Sequence, residues 1–282
     1  MQTSGSSTSV QAGADERADV RIGVDVSQPG EEISPLILGV SGGVEVPEMV
    51  AAGVTLDSWG GNPSTRYNYQ VGHLWNAASD WEFRNTDYGG DGDIFRKYAA
   101  LDRDAGIVMR MSVPTLGWVA KDNTSCSFPD DEGGCLGGTE ADCANPGPIA
   151  DPRTTSVEST PELVAGWVAE LVAEGLAPRF IAMDNEPELW GHTHYDVHPE
   201  CPTYEELLDK YLQYATAIRA VAPDAELTGP AMCCWYDYWR IAPGPADGSG
   251  EDFLTWFLAR VREHDEARGT RSIDVVDVHF YP

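Results

Sequence analysis

Six apolar, β-branched runs punctuate the chain, each followed by turn or loop residues: Ile33–Val40, Val54–Trp59, Ile107–Val113, Arg179–Asp184, Glu226–Ala231 and Ile273–Phe280. Their length and flanking glycines and prolines predict strands. The intervening segments carry apolar residues at helical spacing. The clearest opens at Thr160-Pro161, an N-cap followed by proline at the first helical position, and runs through Leu163, Val164, Trp167, Val168, Leu171 and Val172 to a stop at Gly175. A second opens with the capping box Thr203/Glu206 and ends before Pro223. A third starts near Ser249 and turns Phe253, Leu254, Phe257, Leu258 and Val261 inward, and weaker helices fit Pro47–Ala52 and Asp93–Ala105. Strand alternating with helix predicts an α/β fold, a parallel sheet with helices outside it. Six such units are two short of a closed eightfold barrel, so the expectation is an incomplete (β/α)8 barrel over residues 31–282, truncated before the last strands.

One stretch breaks the pattern. Val20, Ile22, Val24 and Val26 alternate with polar or small residues, the period of a half-buried antiparallel strand. Residues 19–30 are therefore expected to be a strand of an accessory β-sandwich, and residues 1–18 a flexible leader without the basic and apolar regions of a signal peptide.

Charge narrows the partners. A formal net charge of −28, from 46 acidic against 18 basic residues, repels phosphate backbones, so nucleic acid is excluded and an uncharged ligand favoured. No apolar run approaches the ~18 residues of a membrane span. The six cysteines lie in loop-like sequence or at a strand end without a C-x-x-C pair. That pattern favours one or two disulfides and a secreted protein, with reduced thiols the alternative. Cys201 follows the fourth strand and Cys233 and Cys234 close the fifth, so Cys201 is expected beside that pair, with Cys126, Cys135 and Cys143 supplying a second bridge.

In parallel barrels the reactive side chains sit at the C-terminal ends of strands. The fourth strand ends in Asp184-Asn185-Glu186-Pro187. A carboxylate held there can be tuned to donate a proton near neutrality, which cleavage of a glycosidic bond requires because an alkoxide is a poor leaving group. Asn185 is placed to hydrogen-bond a sugar hydroxyl. His279 and Tyr281 lie two apart on the last strand and so face one side, where they would line the cleft. Trp167 and Trp256 fall within helical patterns and are read as core. Trp59, Trp75, Trp81, Trp118, Trp190, Trp235 and Trp239 fall at strand ends or in loops, where indoles can stack on sugar faces, although some of them would simply pin loops. His192, His194, His198 and Cys201 miss a standard zinc spacing and are read as loop packing or substrate contact. Asp87, Asp91 and Asp93 among glycines miss the EF-hand pattern; helix capping is preferred to a structural calcium ion, and no cofactor is expected.

Five stretches, Trp59–Tyr69 (WGGNPSTRYNY), Ser79–Asn85 (SDWEFRN), Gly117–Phe128 (GWVAKDNTSCSF), Met183–Pro199 (MDNEPELWGHTHYDVHP) and Asp277–Pro282 (DVHFYP), resemble glycoside hydrolase family 44, the endoglucanases and xyloglucanases. The resemblance implies a barrel joined to a β-sandwich, retention of anomeric configuration and action within β-1,4-glucan chains. It implies Glu186 as general acid/base with Asn185 beside it, and Asn62, Trp118, His279 and Tyr281 near the cleft; Trp59 and Trp190 join them as candidate substrate-binding residues. It also implies that the nucleophilic glutamate lies on a later strand, beyond Pro282, so that the chain by itself is expected to be inactive. The expected partner is a β-glucan and the expected state a monomer. Another retaining β-glycanase, such as a xylanase or mannanase, and a catalytically inactive carbohydrate-binding relic are the alternatives.

Overall fold

The computed structural model describes residues 23, 27, 30, 32–42, 45–87, 89, 92–136, 141–241, 244, 246 and 248–280. The chain divides into two units, Met1–Ser34 and Pro35–Pro282. The described residues of the first carry no helix or strand, and the alternating stretch Val20–Val26 lies, Gly23 apart, outside the described residues.

The second unit contains six parallel strands in sequential order: β1 (Gly39–Val40), β2 (Leu56–Trp59), β3 (Val108–Val113), β4 (Phe180–Met183), β5 (Glu226–Met232) and β6 (Val275–Val278). Between them run α1 (Val46–Ala52), α2 (Ile94–Ala105), α3 (Pro161–Ala173), α4 (Tyr204–Val221) and α5 (Phe253–Arg268). The first strand is shorter than the pattern predicts, because Pro35 opens a 3-10 turn, Pro35–Ile37, in what reads as continuous apolar sequence. Two small antiparallel ladders, Leu74–Asn76 with Asn85–Asp87 and Trp118–Ala120 with Ser156–Glu158, build the loops after β2 and β3.

The sheet is curled into part of a barrel, and one ion pair shows how strongly. Arg110 on β3 reaches Asp277 on β6 through Nε at 3.0 Å and Nη2 at 2.5 Å. In a flat sheet strands three places apart would stand about 14 Å from each other, at ~4.8 Å per strand. Only a concave sheet lets the guanidinium span that gap. Its Nη1 also donates to Ser58 on β2 and Ser112 on β3, and Thr228 on β5 donates to the same Asp277 oxygen, so polar side chains fill the concave face.

The helices start where their caps predict. Thr160 accepts from Leu163 N at 3.2 Å and Thr203 from Glu206 N at 3.1 Å, but the second capping box is only half made because the Glu206 carboxylate turns to His198 Nε2 at 2.8 Å. Asp93 caps α2, accepting from Phe95 N and Arg96 N, and its carboxylate also takes the Tyr67 hydroxyl and Trp167 Nε1, each at 2.7 Å. One side chain thus ties the loop after β2 to α2 and α3. Above it, Trp59, Tyr67, Phe95 and Trp167 pack largely edge to face, with Trp59 centred 5.0 Å from Tyr67 and 5.2 Å from Phe95. Trp167 and Trp256 are core residues, as their helical positions predict.

Asp102 on α2 is buried with its carboxyl against that of Asp57 on β2. Burial, reinforced by the Asp57 charge, pushes its carboxyl up to about 7. The folded chain therefore holds a proton that the unfolded chain releases near pH ~4. Stability attributable to this site is complete below that pH and falls as the pH rises towards 7, with a slope of at most about 1.4 kcal/mol per pH unit. Urea titrations at a series of pH values should show that slope in the difference between wild type and Asp102→Asn; parallel curves between pH 4 and 7 would refute it.

Candidate active site

The C-terminal ends of β1, β2, β4 and β6, with Arg110 from within β3, line a cavity of about 560 Å³ whose wall includes Asn62, Arg110, Asn185, Glu186, Asp277 and His279. A larger hollow of about 960 Å³ lies among α3, α4 and α5, on the outer helical layer and away from the strand ends, so it is not the candidate site. Glycine is required at the cavity wall: a Cβ on Gly60 would stand 2.5 Å from Ser112 Oγ.

The loop after β4 is over-determined. Asp184 is fully buried and accepts four hydrogen bonds, from Thr65 Oγ1, Thr115 N, Thr115 Oγ1 and Asn185 N. Burial pushes its carboxyl upward, and these donors oppose the shift. Asp184 and Glu186 both adopt positive φ, 73° and 49°, a conformation that costs a non-glycine residue energy and concentrates at functional sites. The Glu186 amide donates to Ala231 O on β5 at 2.9 Å, and its Oε1 lies 2.7 Å from His279 Nδ1 just after β6. Asn185 Nδ2 donates to Asn62 Oδ1 at 3.1 Å, and Asn62 Nδ2 to Asp80 at 3.2 Å. The structure therefore brings together Glu186, Asn185, Asn62 and His279 at one end of the sheet.

Beside them sits a second carboxyl. Glu188 accepts from Cys233 N at 2.5 Å while its other oxygen has no partner. Burial drives it well above the usual carboxylate range, and the charges of Asp237 and Glu186 act in the same direction. Asp237 is raised as well, by burial and then by Glu186.

Two candidate substrate contacts are corrected. Trp59 is buried in the aromatic cluster against α2 and α3, and Trp190 is wholly buried with its ring 5.6 Å from His198, so neither offers a face to a ligand. Trp118 is half-buried, with the Arg153 guanidinium 5.9 Å from its ring. Tyr281 and Asp91 lie outside the described residues. Asp87 accepts from Asn123 Nδ2 and Gly89 N, and His194 is buried and held neutral, chiefly by desolvation. Among the described residues no cluster of three or more His, Cys, Asp or Glu side chains is arranged to hold a metal ion.

The cysteine expectation is also corrected. Cys201 pairs with Cys143, not with Cys233 or Cys234, which pair with each other; Cys126 pairs with Cys135. The neighbouring-strand argument applies equally to β3 and β5, which both flank β4. What decides is that the long loop after β3 folds over the loop after β4, where Cys143 N donates to Gly191 O at 2.8 Å.

That loop is held by an ion pair that sequence reasoning missed. Arg66 and Asp196 are fully buried, with Nη1 3.0 and 3.2 Å from the two carboxylate oxygens. Nη2 donates to Thr155 and Ser156, and Ser127 donates to Asp196. Arg66 closes the 3-10 helix Asn62–Arg66 that carries Asn62 at its other end and Thr65 between. The signal available in the sequence was an arginine embedded in an otherwise uncharged loop, which is weak.

The model of glycoside hydrolase family 44 matches residues 74–282. The chain belongs to glycoside hydrolase family 44. The β-mannanase/endoglucanase A of Caldicellulosiruptor saccharolyticus is 25% identical over 287 residues, which cover 93% of this chain and 21% of that protein. The endoglucanase A of Paenibacillus lautus is 34% identical over 105 residues, 36% of this chain and 15% of that protein. Among solved structures, CelM2, a bifunctional glucanase-xylanase from a metagenome library, superposes with a TM-score of 0.78 at 27% identity over 89% of this chain and 55% of that one. The family 44 xyloglucanase of Paenibacillus polymyxa, solved with xyloglucan, gives 0.71 at 25% identity over 89% and 52%. The chain thus spans about half the length of these structures and a smaller share of the curated relatives.

Two outcomes follow for this chain. Arg66→Met should cost about 3–5 kcal/mol in urea denaturation, since it leaves Asp196 buried and unpaired, and pairing it with Asp196→Leu should recover part of that loss. Equal destabilisation by the single and double variants would show that the pair is not coupled. Titration of the unfolded, unreduced chain with a thiol reagent should detect no free cysteine, and removing Cys143 and Cys201 together should cost about 2–4 kcal/mol.

Proposed function

We propose that Glu186 is the proton-donating carboxylate of a retaining, endo-acting β-1,4-glucanase. The observation that carries this reading is its position: it follows the fourth strand, its amide is fastened to β5, and its carboxyl is oriented by His279 from β6 at the wall of an open cavity. A general acid must be held within hydrogen-bond reach of the leaving oxygen, and three strand ends fix Glu186 more firmly than a loop would. Asn185, braced by Asn62, is set to bind a hydroxyl of the ring undergoing cleavage. Such a contact strengthens as the ring flattens towards the oxocarbenium-like transition state.

Retention requires a second carboxylate about 5–5.5 Å from the first, which attacks the anomeric carbon while Glu186 protonates the departing oxygen; Glu186 then removes a proton from the water that releases the sugar. Glu188 is unsuited to attack, because its burial favours the neutral acid. We place the nucleophile on one of the two further strands a closed barrel needs, in the half of the relatives' length this chain does not span. Three disulfides among the described residues support a secreted enzyme. The activities named for relatives include mannanase and xylanase, so a broader β-glycanase is the second reading, and a panel of β-glucan, xylan and mannan separates the two.

In a form of the enzyme carrying all eight strands, Glu186→Gln should lower turnover of unactivated glucans by at least about 10²–10⁴-fold with little loss of binding. Aryl glycosides with an acidic phenol need little protonation, so their glycosylation step should suffer less, and added azide should restore turnover by attacking the glycosyl-enzyme unaided. Equal losses on both substrates, with native folding and no azide rescue, would remove Glu186 from the acid/base role.

A further inference from the structure

Next to the cavity the chain exposes aromatic surface that the acid/base reading does not use. Trp235 is 53% exposed, Trp239 47% and Phe280 63%. They are not scattered. The Trp235 ring lies 5.6 Å from Trp239 and 6.4 Å from Phe280, and Phe280 also lines the cavity beside His279 and Glu186. A contiguous aromatic patch of this kind marks a binding surface, since burying it against a partner gains the hydrophobic contribution that water denies it.

The backbone beneath the patch is fixed by unusual means. Trp235 follows directly on the Cys233–Cys234 disulfide, a bridge between adjacent residues. Such a bridge closes no chain segment, so it removes almost no loop-closure entropy from the unfolded state. Its effect is local: it stiffens the turn that presents Trp235. The same turn is fastened to the candidate acid's loop, because Glu188 accepts from Cys233 N and the Glu186 amide donates to Ala231 O two residues earlier. Tyr238 completes the frame by donating its hydroxyl to His279 O. Ala231 and Cys234 hold positive φ, 57° and 27°, so the segment is kept in shape by these contacts and not by local preference.

We propose that Trp235, Trp239 and Phe280 form a stacking subsite for a pyranosyl ring of a β-1,4-linked glucan, contiguous with the cavity at Glu186, and that the Cys233–Cys234 turn holds its geometry. The inference rests on the reading of the cavity as a glucan cleft. Its ligand is an uncharged ring with an apolar C–H face, which suits a patch that exposes indole and phenyl surface within a chain of net charge −28. Phe280 belongs both to the cavity wall beside Glu186 and to the patch, so it joins the two.

The test uses the full-length enzyme and calorimetric affinities for cello-oligosaccharides of increasing length, comparing wild type with Trp235→Ala and Trp235→Tyr. In wild type, affinity should step upward once the oligosaccharide is long enough to reach the patch. In Trp235→Ala that step should shrink by about tenfold, and Trp235→Tyr should recover most of it. A step of wild-type size in Trp235→Ala overturns the subsite, as does weakening that is the same at every length, which signals a merely structural role. Failure of acrylamide to quench Trp235 fluorescence in the ligand-free enzyme also overturns it, because protein would then cover the patch. The acid/base assignment fails separately: hydrolysis retained by Glu186→Gln with the Trp235 step intact removes only the acid, whereas inactive Glu186→Gln with no Trp235 effect removes only the subsite.

Discussion

The candidate-site end of this partial barrel depends on one buried ion pair. Arg66 and Asp196 come from the loops after β2 and β4, and through Ser127, Thr155 and Ser156 they also hold the loop after β3. Two fully buried charges are costly to desolvate, and the pair is tolerable because nearly every donor and acceptor is matched. The return is geometric. With Arg66 pinned, the 3-10 helix it closes can direct Thr65 to Asp184 and Asn62 to Asn185, so the residues flanking Glu186 inherit their positions from a contact 130 positions apart in sequence. The Cys143–Cys201 bridge secures the same loop pair covalently.

The second constraint is curvature. Arg110 and Asp277 meet only because the sheet curls, and once they meet, the two opposite charges are paired in the cavity wall. Asp277 precedes His279 by two residues on the same strand end, so the contact that records the curl also sets the register that carries His279 to Glu186. Sheet geometry and the orientation of the Glu186 carboxyl are consequently not independent.

Most of this fold was legible in the sequence because its signals are local. Strand position, the caps at Asp93, Thr160 and Thr203, and strand–helix alternation each follow from residues within one turn or one strand. Glu186, Asn185 and His279 were legible for the same reason, since the C-terminal end of a parallel strand is a position that can be read along the chain. What escaped was long-range. The alternation of buried and exposed indoles in loops has no local rule, so Trp59 and Trp190 were assigned to the cleft although they pack into the core. The cysteine pairing failed where two neighbouring strands offered equivalent partners, and the folding of the loop after β3 chose between them. Arg110 interrupts an apolar strand, and a charge there does signal an interior partner, but nothing local identifies Asp277.

Three carboxyls, Glu186, Glu188 and Asp237, crowd one edge of a strongly acidic molecule, and their arrangement has a chemical consequence. Full ionisation of all three would place mutually repelling charges side by side. Burial resolves this by favouring the protonated form of Glu188 and, to a lesser degree, of Asp237. Burial so eases the repulsion at this edge, and Glu188 still serves structure by accepting from the Cys233 amide. The same acidic surface acts on ligands at a distance: it repels polyanions and sets no long-range electrostatic barrier against an uncharged ligand, for which recognition is left to hydrogen bonds and apolar contact at close range.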